Sequence, residues 1–386
     1  MRVKLIGVGA AGNKATICAV QESVVKKEDV LLINSTLKDI PKDFDGLSYQ
    51  FNIKDQDQGG CGKERRRAAN LVTNDIEEIP LEKFLGVGTP EEAELAIIVC
   101  STEGGTGSGA SPILARYIWQ ALGIHVHMFA FLGFGEDVRG LRNTVEYFGE
   151  MDSEFTIEAI DNSRYLTECN GNRIKAEKKA NSDFCRKIAI LIGNVLRDSE
   201  HNIDPRDLYK ISTYPGYMVI EFKEFSKIKN REQFRAMVIQ MLDDSKALDV
   251  DGASQQKMGV MINIDKDNTD VIDYQDILVE RYGMVFEKFE HIQHEGDMPN
   301  FFAVISAGSK MPKDEIDAVY TRYTQLNKTV DKKKDTFFNT SYKFEAEDDD
   351  FDVKTPKKMG AKAFLESVKT NKRGNNEVKG DVSDNY

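Results

Sequence analysis

Short apolar runs alternate with helix-compatible segments through the first 150 residues, and glycines gather where these runs end. The runs are 3-VKLIGV-8, 29-DVLLIN-34, 95-LAIIVC-100 and 125-HVHMFAFLGF-134, with a further one at 155-FTIEAID-161. Continuous apolar runs of this length are typical of strands that are buried on both faces, and strands that alternate with helices pair in parallel. The pattern therefore predicts an α/β domain built on a parallel sheet.

A second α/β pattern follows between residues 213 and 308. Strand-like runs at 217–222, 258–264, 283–289 and 301–307 alternate with helix-like segments at 230–245 and 271–282. Between the two patterns, apolar residues from Phe184 to Leu196 repeat at helical spacing, which predicts a connecting helix over 174–198, about 37 Å long. A last helix is expected over 312–334.

These patterns predict a domain order. It is a nucleotide-binding domain (1–173), a central helix (174–201), a smaller α/β domain (202–310), a C-terminal helix (311–335) and a tail (336–386). The tail starts with an acidic run and ends, from residue 353, with eight Lys and Arg against four Asp and Glu. Because such a composition buries little apolar surface, we expect disorder, except that 361–368 is able to fold on a partner.

Composition limits which partners this chain is expected to bind and in which compartment we expect it. The net charge of −12 and a pI of about 5.1 disfavour binding of the body to nucleic acid or to anionic membranes. Apolar stretches stay well below the length of a membrane span, and the N-terminus lacks the apolar core of a secretion signal. The five cysteines are scattered without a CxxC pair, so we expect a reducing cytoplasm and no metal cluster.

The segment 103-EGGTGSGAS-111 places bare backbone between a strand and a helix. Backbone N–H groups at a helix N-terminus bind anions, and glycine lets the chain approach a phosphate closely. Two more glycine clusters, 7-GVGAAGN-13 and 58-QGGCGKERRR-67, follow other strands. Three such loops predict a triphosphate held from several sides; the alternative is flexible loops of small residues and an ordinary surface turn.

A rival interpretation is a dinucleotide-binding oxidoreductase, because the first cluster matches G-x-G-x-x-G. That fold places an acidic residue near the end of the second strand, where it grips the ribose. Asn34 stands there instead, and in such an enzyme the glycine loop at 103–111 would have no role. The G-x-x-x-x-G-K-[ST] motif of P-loop enzymes does not occur in the sequence.

The segment 103–109 resembles the G-G-G-T-G-[ST]-G loop of the tubulin/FtsZ superfamily and differs from it only at Glu103. This resemblance implies the tubulin/FtsZ fold, a GTPase, and GTP or GDP with Mg²⁺ as ligands. Glu103 either coordinates magnesium through water or points away from the phosphates.

The resemblance also implies a set of nucleotide contacts. Those in the glycine loops and after the second strand are Gly9, Ala10, Ala11, Gly12, Asn13, Asn34, Gly59, Gly60, Gly62, Gly104, Gly105, Thr106, Gly107 and Ser108. Glu136 and Arg142 match a ribose-contacting loop imperfectly, and Asn162 and Asn181 are assigned to the guanine base. For each of these two asparagines, the alternative is a cap of a helix or turn.

The segment 202-NIDPRDL-208 resembles the catalytic loop of FtsZ. In this superfamily the loop inserts into the nucleotide site of the next subunit, so the resemblance assigns catalysis to Asn202, Asp204 and Asp207. The alternative role is a helix start, with Asp204 as the cap and Pro205 in the first position.

Within the superfamily, the chain is most similar to the TubZ branch of plasmids and phages. That similarity implies head-to-tail filaments of this chain that segregate DNA through a DNA-bound helix-turn-helix adaptor, which the basic tail would contact. No membrane partner is expected, and direct nucleic-acid binding by the tail should be weak. An FtsZ-like role in cell division is the alternative, which the polar end 380-GDVSDNY-386 disfavours.

Overall fold

The structure is a computed structural model. It describes residues 1–53, 60–135, 137–151, 155–193, 205–245, 257–265, 270–283, 287–293, 299–309, 319, 321–323, 360 and 363–366. Within these ranges, no helix combines the length and the apolar character that crossing a bilayer requires.

Ten strands in the described ranges form one continuous sheet. They are β1 (Val3–Val8), β2 (Val30–Asn34), β3 (Leu47–Gln50), β4 (Leu95–Ser101), β5 (His125–Leu132), β6 (Thr156–Asp161), β7 (Gly216–Phe225), β8 (Lys257–Asp265), β9 (Glu287–Gln293) and β10 (Asn300–Ser309). Their order is β3-β2-β1-β4-β5-β6-β7-β10-β8-β9. The first seven strands in this order, β3 through β7, are parallel to one another, and β10 runs antiparallel to β7 and β8. The predicted α/β class with a largely parallel sheet is confirmed.

Helices cover both faces of the sheet. They are α1 (Gly9–Gln21), α2 (Arg65–Asp75), α3 (Leu81–Leu85), α4 (Gly105–Arg116), α5 (Val138–Glu150), α6 (Asn162–Glu168), α7 (Arg173–Ile192), α8 (Pro205–Ser212), α9 (Arg231–Asp244) and α10 (Gln275–Tyr282). Alternate residues of each central strand point to opposite faces: Leu5 joins the core under α1 and α7, and Ile6 joins the core under α2 to α5. Burial on both faces explains why these strands read as unbroken apolar runs.

Helix α7 is shorter than predicted. It ends at Ile192, because Gly193 adopts a left-handed conformation (φ 71°) and its N–H bonds to the carbonyl groups of the last turn. The 20 residues of α7 span about 30 Å. Phe184 and Ile188 are buried, as the apolar spacing predicted, whereas the predicted continuation over 194–198 lies outside the described residues.

The two predicted domains share the sheet, because β6 pairs with β7. Two residue pairs join the strands at their starts. Just beyond them, the Glu158 carboxylate accepts the Ile220 N–H at 3.3 Å and pairs with Lys187 of α7. Burial raises the pKa of Glu158 despite this ion pair. The boundaries at 173, 201, 310 and 335 stay a prediction.

Part of the tail is ordered, within the segment 361–368 that was expected to fold on a partner. Residues 363–366 form a helical turn, and Phe364 is 1% exposed. Its ring packs edge-on against Tyr117, with 5.3 Å between centroids, in the wider π turn that extends α4 (Tyr117–Leu122). This piece therefore folds against its own chain. Most of the predicted 312–334 helix lies outside the described residues; residues 319 and 321–323 are helical.

One buried histidine makes the fold sensitive to pH. His127 of β5 is fully buried, stacks on Phe129 at 4.8 Å, and its Nδ1 lies 3.2 Å from the carbonyl oxygen of Ser212. Burial lowers the pKa of His127 to about 4, from 6.5 in an exposed histidine. Below pH 6.5 the unfolded chain therefore binds a proton that the folded chain excludes, and stability falls as the pH falls towards 4.

We predict that His127 alone lowers the free energy of unfolding by about 2 kcal/mol between pH 7.5 and pH 5. The variant His127→Phe keeps an apolar ring on Phe129 and removes this titration, so its stability should depend less on pH. Urea unfolding of both proteins at the two pH values measures the difference. An equal pH dependence in both would contradict the prediction.

Candidate functional site

The carboxyl edge of the parallel sheet gathers the predicted loops. Parallel strands end on the same side, so the loops after β1, β2, β4, β5 and β6 meet there. Helix α1 begins at Gly9, inside the glycine cluster 7–13, and helix α4 begins at Gly105, inside the cluster 103–111. The glycine residues therefore form the first turns of two helices and not free loops.

The glycine clusters touch through their backbones. A Cβ atom on Gly9 would lie 2.9 Å from the Gly107 nitrogen, and one on Gly105 would lie 2.8 Å from the Glu64 nitrogen. A Cβ on Gly12 would overlap the Val99 carbonyl oxygen. These approaches exclude any side chain, so the three clusters predicted to act together are brought together.

Amide groups at this edge are left for a ligand. The first N–H groups of a helix have no partner within the helix, and the residues before α1 and α4 provide no side-chain cap. Space is open at Gly104, where a Cβ atom would meet nothing within 4 Å. Two helix N-termini with free amides beside an open space form a site for an anion of several charges.

Hydroxyl groups connect the second strand to this site. Ser35 Oγ and Thr106 Oγ1 are 3.0 Å apart, and the Ser35 N–H donates to the side chain of Asn34 at 2.9 Å. Ser108 is different, because its hydroxyl is fully buried and donates to the Gly104 carbonyl group. Only the backbone of Ser108 is left for a ligand.

The structure decides between the two alternatives for Glu103. Its Oε1 accepts the Gly135 N–H at 2.7 Å, and the other carboxylate oxygen fills the space next to Gly133, where any Cβ atom would overlap it. Glu103 thus points to the loop after β5. The glycine at 133 makes room for it.

Asn143 of α5 is a residue that the sequence reasoning missed. Its side-chain amide donates to the carbonyl groups of Lys63 at 3.0 Å and of Glu103 at 3.1 Å, so it ties two glycine clusters together. Lys63 also pairs with Asp137, and this contact lowers the pKa of the Asp137 carboxyl group. Asn143 directly follows Arg142, one of the two residues that match a ribose-contacting loop, but its contacts are tertiary and no sequence motif marks them.

Three asparagines at or just after the ends of β1, β2 and β6 carry buried side-chain atoms without a hydrogen-bond partner. Asn13 is 1% exposed, and neither its Oδ1 nor its Nδ2 has a hydrogen-bond partner in the structure. Asn34 Nδ2 and Asn162 Oδ1 are buried and unpartnered as well. Buried polar atoms in native proteins are nearly always bonded, so these amide groups at the carboxyl ends of the strands fit a ligand with several donors and acceptors. Asn181 is half-buried on α7, which packs against α1 and α6.

One other predicted contact, Arg142, is not brought to this site. Arg142 lies on the exposed side of α5 and pairs with Glu146 at 2.7 Å. The predicted ribose role of Arg142 therefore has no support in the geometry. Gly59 and Glu136 lie outside the described residues, whereas Gly60 and Gly62 have positive φ angles of 103° and 57°.

The candidate catalytic helix lies at the opposite edge of the sheet. Helix α8 packs against the start of β5, where the rings of Tyr209 and His125 are 5.6 Å apart. The eight residues of β5 span about 26 Å between that point and the glycine edge. Asp207 of α8 is partly exposed and pairs with Lys210 at 2.9 Å. Asn202 and Asp204 lie outside the described residues.

A nucleoside triphosphate fits this set of groups. The helix N-termini suit the phosphates, and the unpartnered asparagines suit an uncharged base. Magnesium prefers oxygen ligands and usually keeps phosphates and waters, so the hydroxyl of Thr106 is the protein group that would hold it.

Comparison with known proteins agrees with this geometry. No protein-family model matches the chain. The chain is 28% identical to the tubulin-like protein CetZ1 of Haloferax volcanii over 128 residues, which are 31% of each protein. It is 26% identical to the tubulin-like protein TubZ of Clostridium botulinum C phage over 218 residues, or 52% of this chain and 54% of TubZ. The matches thus span a third to a half of these relatives.

A solved structure extends the likeness to most of the chain. A GTPγS-bound protofilament of CetZ2 from Haloferax volcanii superimposes with a TM-score of 0.68 and 16% identity, over 85% of this chain and 100% of CetZ2. The resemblance predicted from the glycine loop is confirmed: this chain has the tubulin/FtsZ fold and is related to the tubulin-like proteins of that superfamily.

Proposed function

We propose that this protein hydrolyses GTP as a subunit of a head-to-tail filament. The observation that carries the proposal is the position of Asp207, which lies on the edge of the sheet opposite the glycine clusters. An acid that the length of β5, about 26 Å, separates from the phosphates of its own subunit cannot act on them. Translation of one copy along the strands brings the α8 edge of that copy to the glycine edge of the next.

In this proposal each subunit binds GTP and its neighbour completes catalysis. The amides of Gly105, Thr106 and Gly107 hold the phosphates, and Asn13, Asn162 and Asn181 contact the base. Asp204 and Asp207 of the neighbour accept hydrogen bonds from the attacking water and orient it. Phosphoryl transfer depends mainly on such positioning and on charge stabilisation. Bound Mg²⁺ would neutralise phosphate charge, with Thr106 as its protein contact.

We predict that Gly104→Asp folds and loses GTP binding. Gly104 has φ −74° and open space around its Cβ position, and Asp is a favourable residue before a helix. The new carboxylate would repel the phosphates and weaken binding at least about 100-fold. A fluorescent GTP analogue measures the affinity. The matched control Gly104→Asn has the same shape without the charge and should bind more tightly than Gly104→Asp; equal affinities would contradict the phosphate role.

We predict that two inactive variants restore each other's hydrolysis. Gly104→Asp lacks a nucleotide site and keeps Asp207, whereas Asp207→Asn keeps the nucleotide site. Hydrolysis by either alone should be at least about ten-fold below wild type. An equal mixture should recover up to about a quarter of the wild-type rate, because one interface in four then joins an intact site to an intact acid. Phosphate release measures this rate.

Lys210→Gln is the control for the mixing experiment. It removes the ion pair of Asp207 and keeps the acid, so it should hydrolyse GTP near the wild-type rate. A mixture as inactive as its two components would show that the acid and the phosphates belong to one subunit, and the proposal would be wrong.

We further propose that the filament works in the cytoplasm and moves plasmid or phage DNA through a DNA-bound helix-turn-helix adaptor. Support comes from the similarity to TubZ of a phage and from the basic end of the tail, where Lys369, Lys372, Arg373 and Lys379 follow the docked turn. These cations suit an acidic surface on a partner.

We predict that removal of residues 367–386 separates the two activities. The truncated chain keeps Phe364 against Tyr117 and should hydrolyse GTP at the wild-type rate. It should fail to bind the complex of DNA with the proposed helix-turn-helix adaptor, as measured by co-sedimentation of filaments. Unchanged co-sedimentation would reject the tail as the adaptor site.

A further inference from the structure

Two cysteines and a glutamate meet between α1 and α7. Cys18 lies on the last turn of α1, Glu22 is the residue that caps the end of this helix four positions later, and Cys185 comes from α7. The two sulfur atoms and a carboxylate oxygen all lie within 4.8 Å of one another. Cys185 is buried, Cys18 is half-buried and Glu22 is exposed.

The spacing of these atoms matches a tetrahedral metal site. In such a site, Zn–S bonds of 2.3 Å and Zn–O bonds of 2.0–2.2 Å set the sulfur and oxygen ligands about 3.6 Å apart. Cys18 Sγ and Glu22 Oε1 are 3.6 Å apart in the structure. The same bond lengths place two sulfur ligands about 3.8 Å apart, which lies inside the 4.8 Å that encloses the cluster.

The donor set also selects the type of metal. Thiolates favour zinc and other soft or borderline ions over the magnesium that accompanies nucleotides. Three protein ligands leave a fourth position, and the exposure of Glu22 opens that position to water.

We propose that Cys18, Cys185 and Glu22 form a zinc site with water as the fourth ligand. The site is separate from the glycine edge, because Cys18 lies nine residues, or about 14 Å, along α1 from Gly9. The metal clamps α1 to α7. The proposal rests on the fold alone and stands whether or not the chain hydrolyses GTP.

The distance between the two cysteines in the sequence explains why the sequence analysis found no metal cluster. Cys18 and Cys185 are 167 residues apart in the sequence, and the packing of α1 against α7 brings them together. The i,i+4 pair of Cys18 and Glu22 alone provides two ligands, which is too few to indicate a site.

The test uses the untagged full-length chain, stripped with a chelator under reducing conditions and then titrated with Zn²⁺ or Co²⁺. We expect one metal ion per chain and, with Co²⁺, a thiolate-to-cobalt charge-transfer absorption. Zinc should also raise the melting temperature, because it binds the folded chain. Cys185→Ser and Cys18→Ser should each bind zinc at least about 100-fold more weakly.

Two further variants keep the test decisive. Glu22→Gln changes an exposed residue, so it should fold normally and bind zinc about ten-fold more weakly. Cys169→Ser removes a partly buried cysteine outside the cluster and should match the wild type in affinity and in the zinc-dependent melting shift. Less than one metal ion per chain, or unchanged binding by Cys185→Ser, would overturn the proposal. A stable Cys18–Cys185 disulfide in metal-free protein would assign the pair to redox chemistry instead.

Discussion

Close backbone approach between α1 and α4 is the constraint on which the rest of the structure depends. The two helices begin on adjacent strands, and their first turns touch where a side chain on Gly9 would meet Gly107. Gly12 is just as tightly placed against the carbonyl group of Val99. Because the helices start this close, their first amides face one place, which suits a ligand with several negative charges.

The same sheet separates the two halves of the proposed catalytic apparatus. Its parallel strands put every glycine loop at one edge and the start of β5, with α8 against it, at the other. In the proposed filament, each subunit therefore relies on its neighbour for Asp207. The geometry that makes a good phosphate site thereby favours assembly in one direction, because only a head-to-tail contact joins unlike edges.

The sequence predicted the features that arise from local pattern. Strands buried on both faces, such as β1 and β4, read as apolar runs, and the glycine loops stand out by composition. Features that depend on tertiary contacts could not be predicted from the sequence. The apolar face of α7 continues in the sequence past Gly193, so periodicity alone placed the end of the helix too late. The bonds of Asn143 to Lys63 and Glu103 span 80 and 40 residues, and no motif encodes them.

The docked turn at Phe364 divides the tail into two kinds of binding segment. A partner whose binding required Phe364 would first have to detach that ring from Tyr117, and its apparent affinity would fall by the fraction of chains in which the ring is released. A partner that recognises only the cations after Glu366 meets no such competition. The docked turn would also fix the point where the tail is attached to the subunit. A force on the tail would then act through Tyr117 on helix α4, which begins at Gly105.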